Sequence, residues 1–232
     1  MTLIVGSIRA HDVILTADGR STRMENGVVT AIDDHFQKLF PIPAHPVVIA
    51  HMGENDLAGE PLGRFLGRFI EKLNAGNFTI QQIADRLRCY AQPAVRARLK
   101  TAGSVNGCNL WVAGFSYLEP EPAIVETFWK YKEGVLYTEE RRFGPTSVVP
   151  GGDGAKQIEP VNWHAIDGKS IRQVRAYHHT LMREATTANV KPNTVGGDIE
   201  EIVITPERWK WVKAPRENKA APATRSFPDP KM

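Results

Sequence analysis

The chain has 232 residues, 42% of them apolar and 24% charged, which is enough to fill one core of ordinary globular type. Lys plus Arg number 29 against 26 Asp plus Glu, a net charge of +3. These charges are mixed along the chain, which argues against a nucleic-acid binder. No run approaches ~18 apolar residues, so no membrane span or membrane partner is expected. Cys89 and Cys108 stand outside any CxxC or Cys/His pattern, which excludes a disulfide framework and points to a reducing, cytoplasmic setting.

The chain starts on an apolar stretch, Met1-Thr2-Leu3-Ile4-Val5-Gly6-Ser7-Ile8. It has no basic flank, long apolar region or small-residue cleavage site, so it reads as a strand rather than a secretory signal. His11-Asp12 turn into a second strand, Val13 to Ala17, which Asp18-Gly19-Arg20 interrupts. Val28 to Ile32, Phe36 to Ile42 and Pro46 to Ala50 follow as short strands. Consecutive apolar positions of this kind predict burial on both faces.

From Asn55 the period becomes helical through Leu73. Thr79 reads as the N-cap of a helix from Ile80 to Lys100, which Pro93 is expected to kink or split. Asn109 to Phe115 and Ala123 to Trp129 return to strand character around a turn-rich Glu119 to Pro122. Tyr131 to Tyr137 and Ser147 to Val149 read as shorter strands. A third helix spans Ser170 to Ala188, and Ile199 to Val212 returns to strands. Strands, two helices, strands, a helix and strands fit an α+β domain over residues 1–213. Residues 214–232 hold four prolines and few large apolar groups, and read as a disordered or draped tail.

The chemistry concentrates at the start. Removal of Met1 leaves Thr2 with a free α-amine, which titrates near ~8 and can serve as base for the residue's own hydroxyl. A lysine nearby lowers both pKa values, and a carboxylate keeps that lysine placed. Lys38 and Asp18 fit these parts, Asp18 because the hairpin of the first two strands returns it beside the terminus. Taken alone, Asp18-Gly19-Arg20 also reads as a turn with a surface ion pair, and Lys38 as an exposed strand residue.

Together these residues resemble the proteasome family of N-terminal nucleophile hydrolases. Thr2-Leu-Ile-Val-Gly, Val13-Ile-Leu-Thr-Ala-Asp18-Gly-Arg20, His35-Phe-Gln-Lys38-Leu-Phe-Pro-Ile42 and Val47 to Asp56 look like the opening of a β-type subunit. The HslV-type subunit of bacterial ATP-dependent proteases is equally similar. The resemblance continues weakly through Leu110 to Gly114 and Thr194 to Ile204. It implies a four-layer αββα sandwich and a threonine-type amide hydrolase, a peptidase by expectation, with no cofactor and no metal. In its terms Thr2 is nucleophile and base, Asp18 and Lys38 support it, Arg20 orders nearby loops, and Gly53 offers its N–H to the oxyanion. It also implies a homo-oligomer enclosing its sites, with a partner ATPase left open.

The match departs at Pro150-Gly151-Gly152-Asp153-Gly154, where active members carry Gly-Ser-Gly and this chain has Gly152 for the serine. An Asp and Ser before the late glycine pair are absent too, and Asp153 or Thr194 are the candidates to compensate. A small-amide hydrolase and a non-catalytic scaffold subunit of the same fold are therefore the alternatives. Pro150 to Lys156 matches no phosphate loop. His178-His179 point about 100° apart on a helix and read as solvated or capping rather than metal-binding. His51 reads as a packed histidine, and Trp163, Trp209 and Trp211 as core or subunit contacts.

Overall fold

The computed structural model describes residues 2–25, 28–57, 59–73, 76–102, 108–158, 160–188, 195–215 and 224–226. The branched residues at the start form β1 (Ile4–Arg9) and β2 (Asp12–Asp18), followed by β3 (Ser21–Glu25), β4 (Val28–Asp33), β5 (Leu39–Ile42) and β6 (Val47–Met52). Two short pieces, β7 (Asp56–Leu57) and β8 (Glu60–Pro61), precede the helices α1 (Leu62–Lys72) and α2 (Ile80–Ala102). Then come β9 (Cys108–Ser116), β10 (Glu119–Lys132), β11 (Val135–Phe143) and β12 (Ser147–Gly151). Helix α3 (Ile171–Thr187) leads to β13 (Ile199–Thr205), β14 (Arg208–Lys213) and β15 (Thr224–Ser226).

The architecture is α+β. One antiparallel sheet has the order β12-β1-β2-β13-β14-β15, the other β11-β10-β9-β6-β5. Strand β1 alternates its apolar residues between two clusters. Ile4 and Ile8 join Leu15, Ala50, Trp111 and Ile202, which come from both sheets, while Val5 joins Ile14, Val174 and Leu181 against α3. A third cluster joins Ile49, Val112 and Val125 of the second sheet to Leu66 of α1 and Leu87 of α2. The consecutive apolar positions of β1 and β2 are thus buried on both faces, as their pattern predicts.

The helix signals hold at their starts. Thr79 Oγ1 accepts the Gln82 N–H at 3.0 Å while the Gln82 side chain accepts the Thr79 N–H at 2.9 Å, a reciprocal cap. Ser170 and Gln173 repeat the arrangement on α3. The expected split at Pro93 does not occur, since α2 runs unbroken through it. The helical period from Asn55 begins as a helix only at Leu62, after β7 and β8. The stretch Tyr131 to Tyr137 is not one strand but the tip of the β10–β11 hairpin, turning at Glu133 and Gly134 with φ of 54° and 82°. That pair of positive φ values is the twist-matched two-residue turn of a hairpin.

His178 departs from the solvated role its position suggests. It is fully buried, with one ring nitrogen on Ser7 Oγ of β1 and the other 2.9 Å from Thr16 Oγ1 of β2. It ties α3 to the sheet through a satisfied polar network. Trp209 and Trp211 are core residues, and the side chain of Trp163 lies outside the described residues. Strand β15 pairs with β14 at the sheet edge, and residues 216–223 and 227–232 of the segment after 213 lie outside those described. Among the described residues no helix is long and apolar enough to cross a membrane.

Candidate active site

Strand β1 runs between β12 and β2, so the chain start is held inside a sheet rather than at its rim. Thr2 stands at the head of that strand, 5% exposed, with its carbonyl accepting the Gly154 N–H at 3.1 Å. The β1–β2 register pairs Ile4 with Ala17 and so brings Asp18 opposite Leu3. Leu3 N–H donates to Asp18 Oδ1 at 2.8 Å, and Asp18 N–H donates back to the Leu3 carbonyl at 3.1 Å.

The same Asp18 Oδ1 accepts Lys38 Nζ at 2.6 Å, while its Oδ2 accepts the Gly196 N–H at 3.1 Å. Lys38 Nζ also donates to the Arg20 carbonyl at 2.7 Å. Lys38 is 1% exposed, which overturns the reading of an exposed strand residue. Burial pushes its ammonium below the usual lysine value, and Asp18 opposes that shift. A buried ion pair is tolerable only when both partners are well hydrogen-bonded. Here the ammonium has two acceptors, and the carboxylate accepts from Leu3, Lys38 and Gly196.

Arg20 contributes its carbonyl to Lys38 and its guanidinium to Asp34, at 2.6 and 3.1 Å. That pairing holds the Asp34 carboxyl below its ordinary range. Gly53 follows β6 with φ of 103°, a conformation that suits glycine. Thr2, Gly53, Gly152 and Asp153 all line one cleft of 740 Å³. The structure therefore brings together the residues 2, 18, 38, 53, 152 and 153 singled out from the sequence, around one strand end. Met1 and Thr194 lie outside the described residues. Among the described residues no group of three His, Cys, Asp or Glu is placed to hold a metal ion.

Gly152 is packed backbone to backbone against Thr2. Its φ is 85°, and an added Cβ would stand 2.9 Å from the Thr2 carbonyl carbon and closer still to the oxygen. The turn that follows, Asp153–Gln157, places the Gly154 N–H on that same oxygen. The position that carries a serine in active members of the resembled family is here a clamp on the chain start.

Glu200 is the site residue that sequence reasoning missed. It is 2% exposed in β13 and accepts the backbone N–H groups of Lys38 and Leu39, at 3.1 and 2.9 Å. Burial raises its carboxyl to about 8. The available signal was two adjacent glutamates in a strand otherwise written Ile199 to Ile204. His51 is fully buried near Lys38, and neither ring nitrogen has a partner among the described residues. Burial, and secondarily Lys38, push its imidazole down to about 3, and burial does the same to His178.

These shifts set a pH dependence. Between pH 6.5 and 4.5 the unfolded chain binds protons on two histidines that the fold keeps neutral, while the fold holds one on Glu200. The histidine contribution is present above their unfolded value and is lost as pH falls toward 3. The Glu200 contribution is present below its unfolded value and is lost as pH rises through about 8. For His51 and His178 against Glu200, two protons against one make stability fall by about 1.4 kcal/mol for each unit the pH drops across that window, and His45, which burial also lowers, adds to the fall. Urea titrations should show at least this slope in the native chain and a slope steeper by about 1.4 kcal/mol per pH unit in Glu200→Gln. A flat profile in both rejects the neutral histidines.

No protein-family model matches this chain, and no curated protein matches it.

Proposed function

We propose that the chain is a threonine-type amide hydrolase acting on peptides, with Thr2 as nucleophile once Met1 is removed. The observation that carries this reading is a single carboxylate oxygen. Asp18 Oδ1 accepts both the N–H of the residue after Thr2 and the buried Lys38 ammonium. The resemblance of the first fifty-odd residues to proteasome β-type subunits supports it independently. The three apolar clusters support the four-layer αββα sandwich of that family, and self-association follows from the same resemblance.

In this mechanism the Thr2 hydroxyl oxygen attacks the acyl carbonyl and its proton passes to the α-amine. The Lys38 ammonium disfavours a second cation beside it and so holds the α-amine nearer neutral. The Gly53 N–H faces the developing oxyanion, a contact worth roughly a hundredfold in rate or more. Collapse breaks the C–N bond, and the leaving amine takes the proton from the α-ammonium. Water then attacks the ester, its proton passing to the α-amine, and the α-ammonium returns that proton to the Thr2 oxygen as the acyl C–O bond breaks and the acid leaves.

The rival reading is a non-catalytic scaffold subunit, and Gly152 favours it, because this position against Thr2 carries no side-chain hydroxyl. Two measurements separate them. The intact mass of protein from its natural host should lack Met1, and Thr2→Ala should lower turnover of fluorogenic peptides by more than about a thousandfold. A retained Met1, or undiminished turnover in the variant, rejects Thr2 as nucleophile.

A further inference from the structure

The cleft beside Thr2 holds a second feature that the hydrolytic reading does not use. Glu126 of β10 lines it, although the residue is only 8% exposed. Its Oε1 accepts the Trp111 Nε1–H at 3.1 Å. Its other oxygen has no partner, and no cation lies within ion-pair distance, among the described residues. The register makes this unexpected, since Arg141 of β11 stands directly opposite Glu126. The Arg141 guanidinium instead lies 4.9 Å from the centre of the Phe128 ring.

One indole N–H occupies one carboxylate oxygen and leaves the other as an acceptor toward the cleft. Arg141 and Lys156 also line that cleft without pairing with Glu126, so the acceptor is open to a cation that enters. A neighbouring cleft of 290 Å³ shares Asn109, Glu126, Arg141 and Asp153 with the one at Thr2. Glu126 therefore stands where two clefts meet, along a path leading from the strand end.

We propose that Glu126 is a binding subsite for a cationic group of the substrate, a protonated amine or a guanidinium, held beside Thr2. This rests on the reading of the cleft as a substrate cleft. It makes the preferred substrates basic: a peptide carrying Lys or Arg near the scissile bond, or one presenting its free amino terminus there.

The test is binding, measured apart from turnover. Tetrapeptide amides are titrated against the full-length protein by calorimetry. One set is N-acetylated with a single Lys moved through the four positions, one set has norleucine in its place, and one has a free amino terminus and no Lys. At least one Lys position, or the free-amine set, should bind about tenfold or more tighter than its neutral match. Whichever set prevails identifies the source of the cation. Glu126→Gln keeps an acceptor for Trp111 and should erase the preference. Equal affinity of charged and neutral peptides for the native protein overturns the subsite, and needs no variant to fold. A preference that survives in a folded Glu126→Gln overturns it as well. A charged preference that Glu126→Gln erases supports the subsite even where Thr2 fails to react, so the two readings fail separately.

Discussion

Lys38→Met is expected to abolish labelling of Thr2 by an electrophile directed at N-terminal threonine, with a loss of at least a hundredfold. Methionine fills the space but leaves Asp18 as a buried carboxylate without its cation, so the variant also loses about 3–5 kcal/mol of stability. The two effects come apart in Lys38→Met combined with Asp18→Asn. The paired change removes the uncompensated charge and should recover most of the stability in urea unfolding. Labelling should stay lost, because the ammonium that the proposed mechanism requires is still missing. Unchanged labelling in the single variant would refute the role given to Lys38.

Gly152→Ser, which writes the resembled family's serine into this chain, is expected to harm rather than help. The backbone at this position has φ of 85° and ψ of 176°, a region open in practice only to glycine and costly by about 1–3 kcal/mol for other residues. The new Cβ meets the Thr2 carbonyl, so relief requires the chain start to move. Thermal midpoints should fall by several degrees, and the labelling rate of Thr2 should fall about tenfold or more, since small misplacement of a reacting group is expensive. A faster rate would mean that the serine hydroxyl acts here and that the clamp yields.

Legibility differed from element to element for physical reasons. Strands β1 and β2 announce themselves because burial on both faces writes an unbroken apolar run. Thr79 and Ser170 announce helix starts because a cap is a local bond. Strand β11 was hidden because it is an exposed edge, written Thr138-Glu139-Glu140-Arg141-Arg142 with no apolar alternation. At the site, Asp18 could be placed beside Leu3 from the hairpin alone, since the two residues belong to neighbouring strands. Glu200 could not, because its bonds to Lys38 and Leu39 cross 162 and 161 positions of sequence. The burial of His178 was equally out of reach, for its partners Ser7 and Thr16 lie on strands far back in the chain. The clamp at Gly152 required knowing which backbone lies opposite it.

The placement of β1 and β2 inside their sheet also dictates an order of events during synthesis. The hairpin can close as soon as eighteen residues have emerged, yet both its edges wait. The outer edge of β1 is covered only by β12, and that of β2 only by β13. The first rim waits for β12, which ends at Gly151, and the second for β13, which ends at Thr205; until then a ribbon apolar on both faces exposes unpaired edges, the circumstance in which chains stick to one another. Because Gly196 and Glu200, which grip Asp18 and the backbone of Lys38, arrive with the last of these pieces, the hydrogen-bond cage around that buried ion pair is among the last parts of the fold to close.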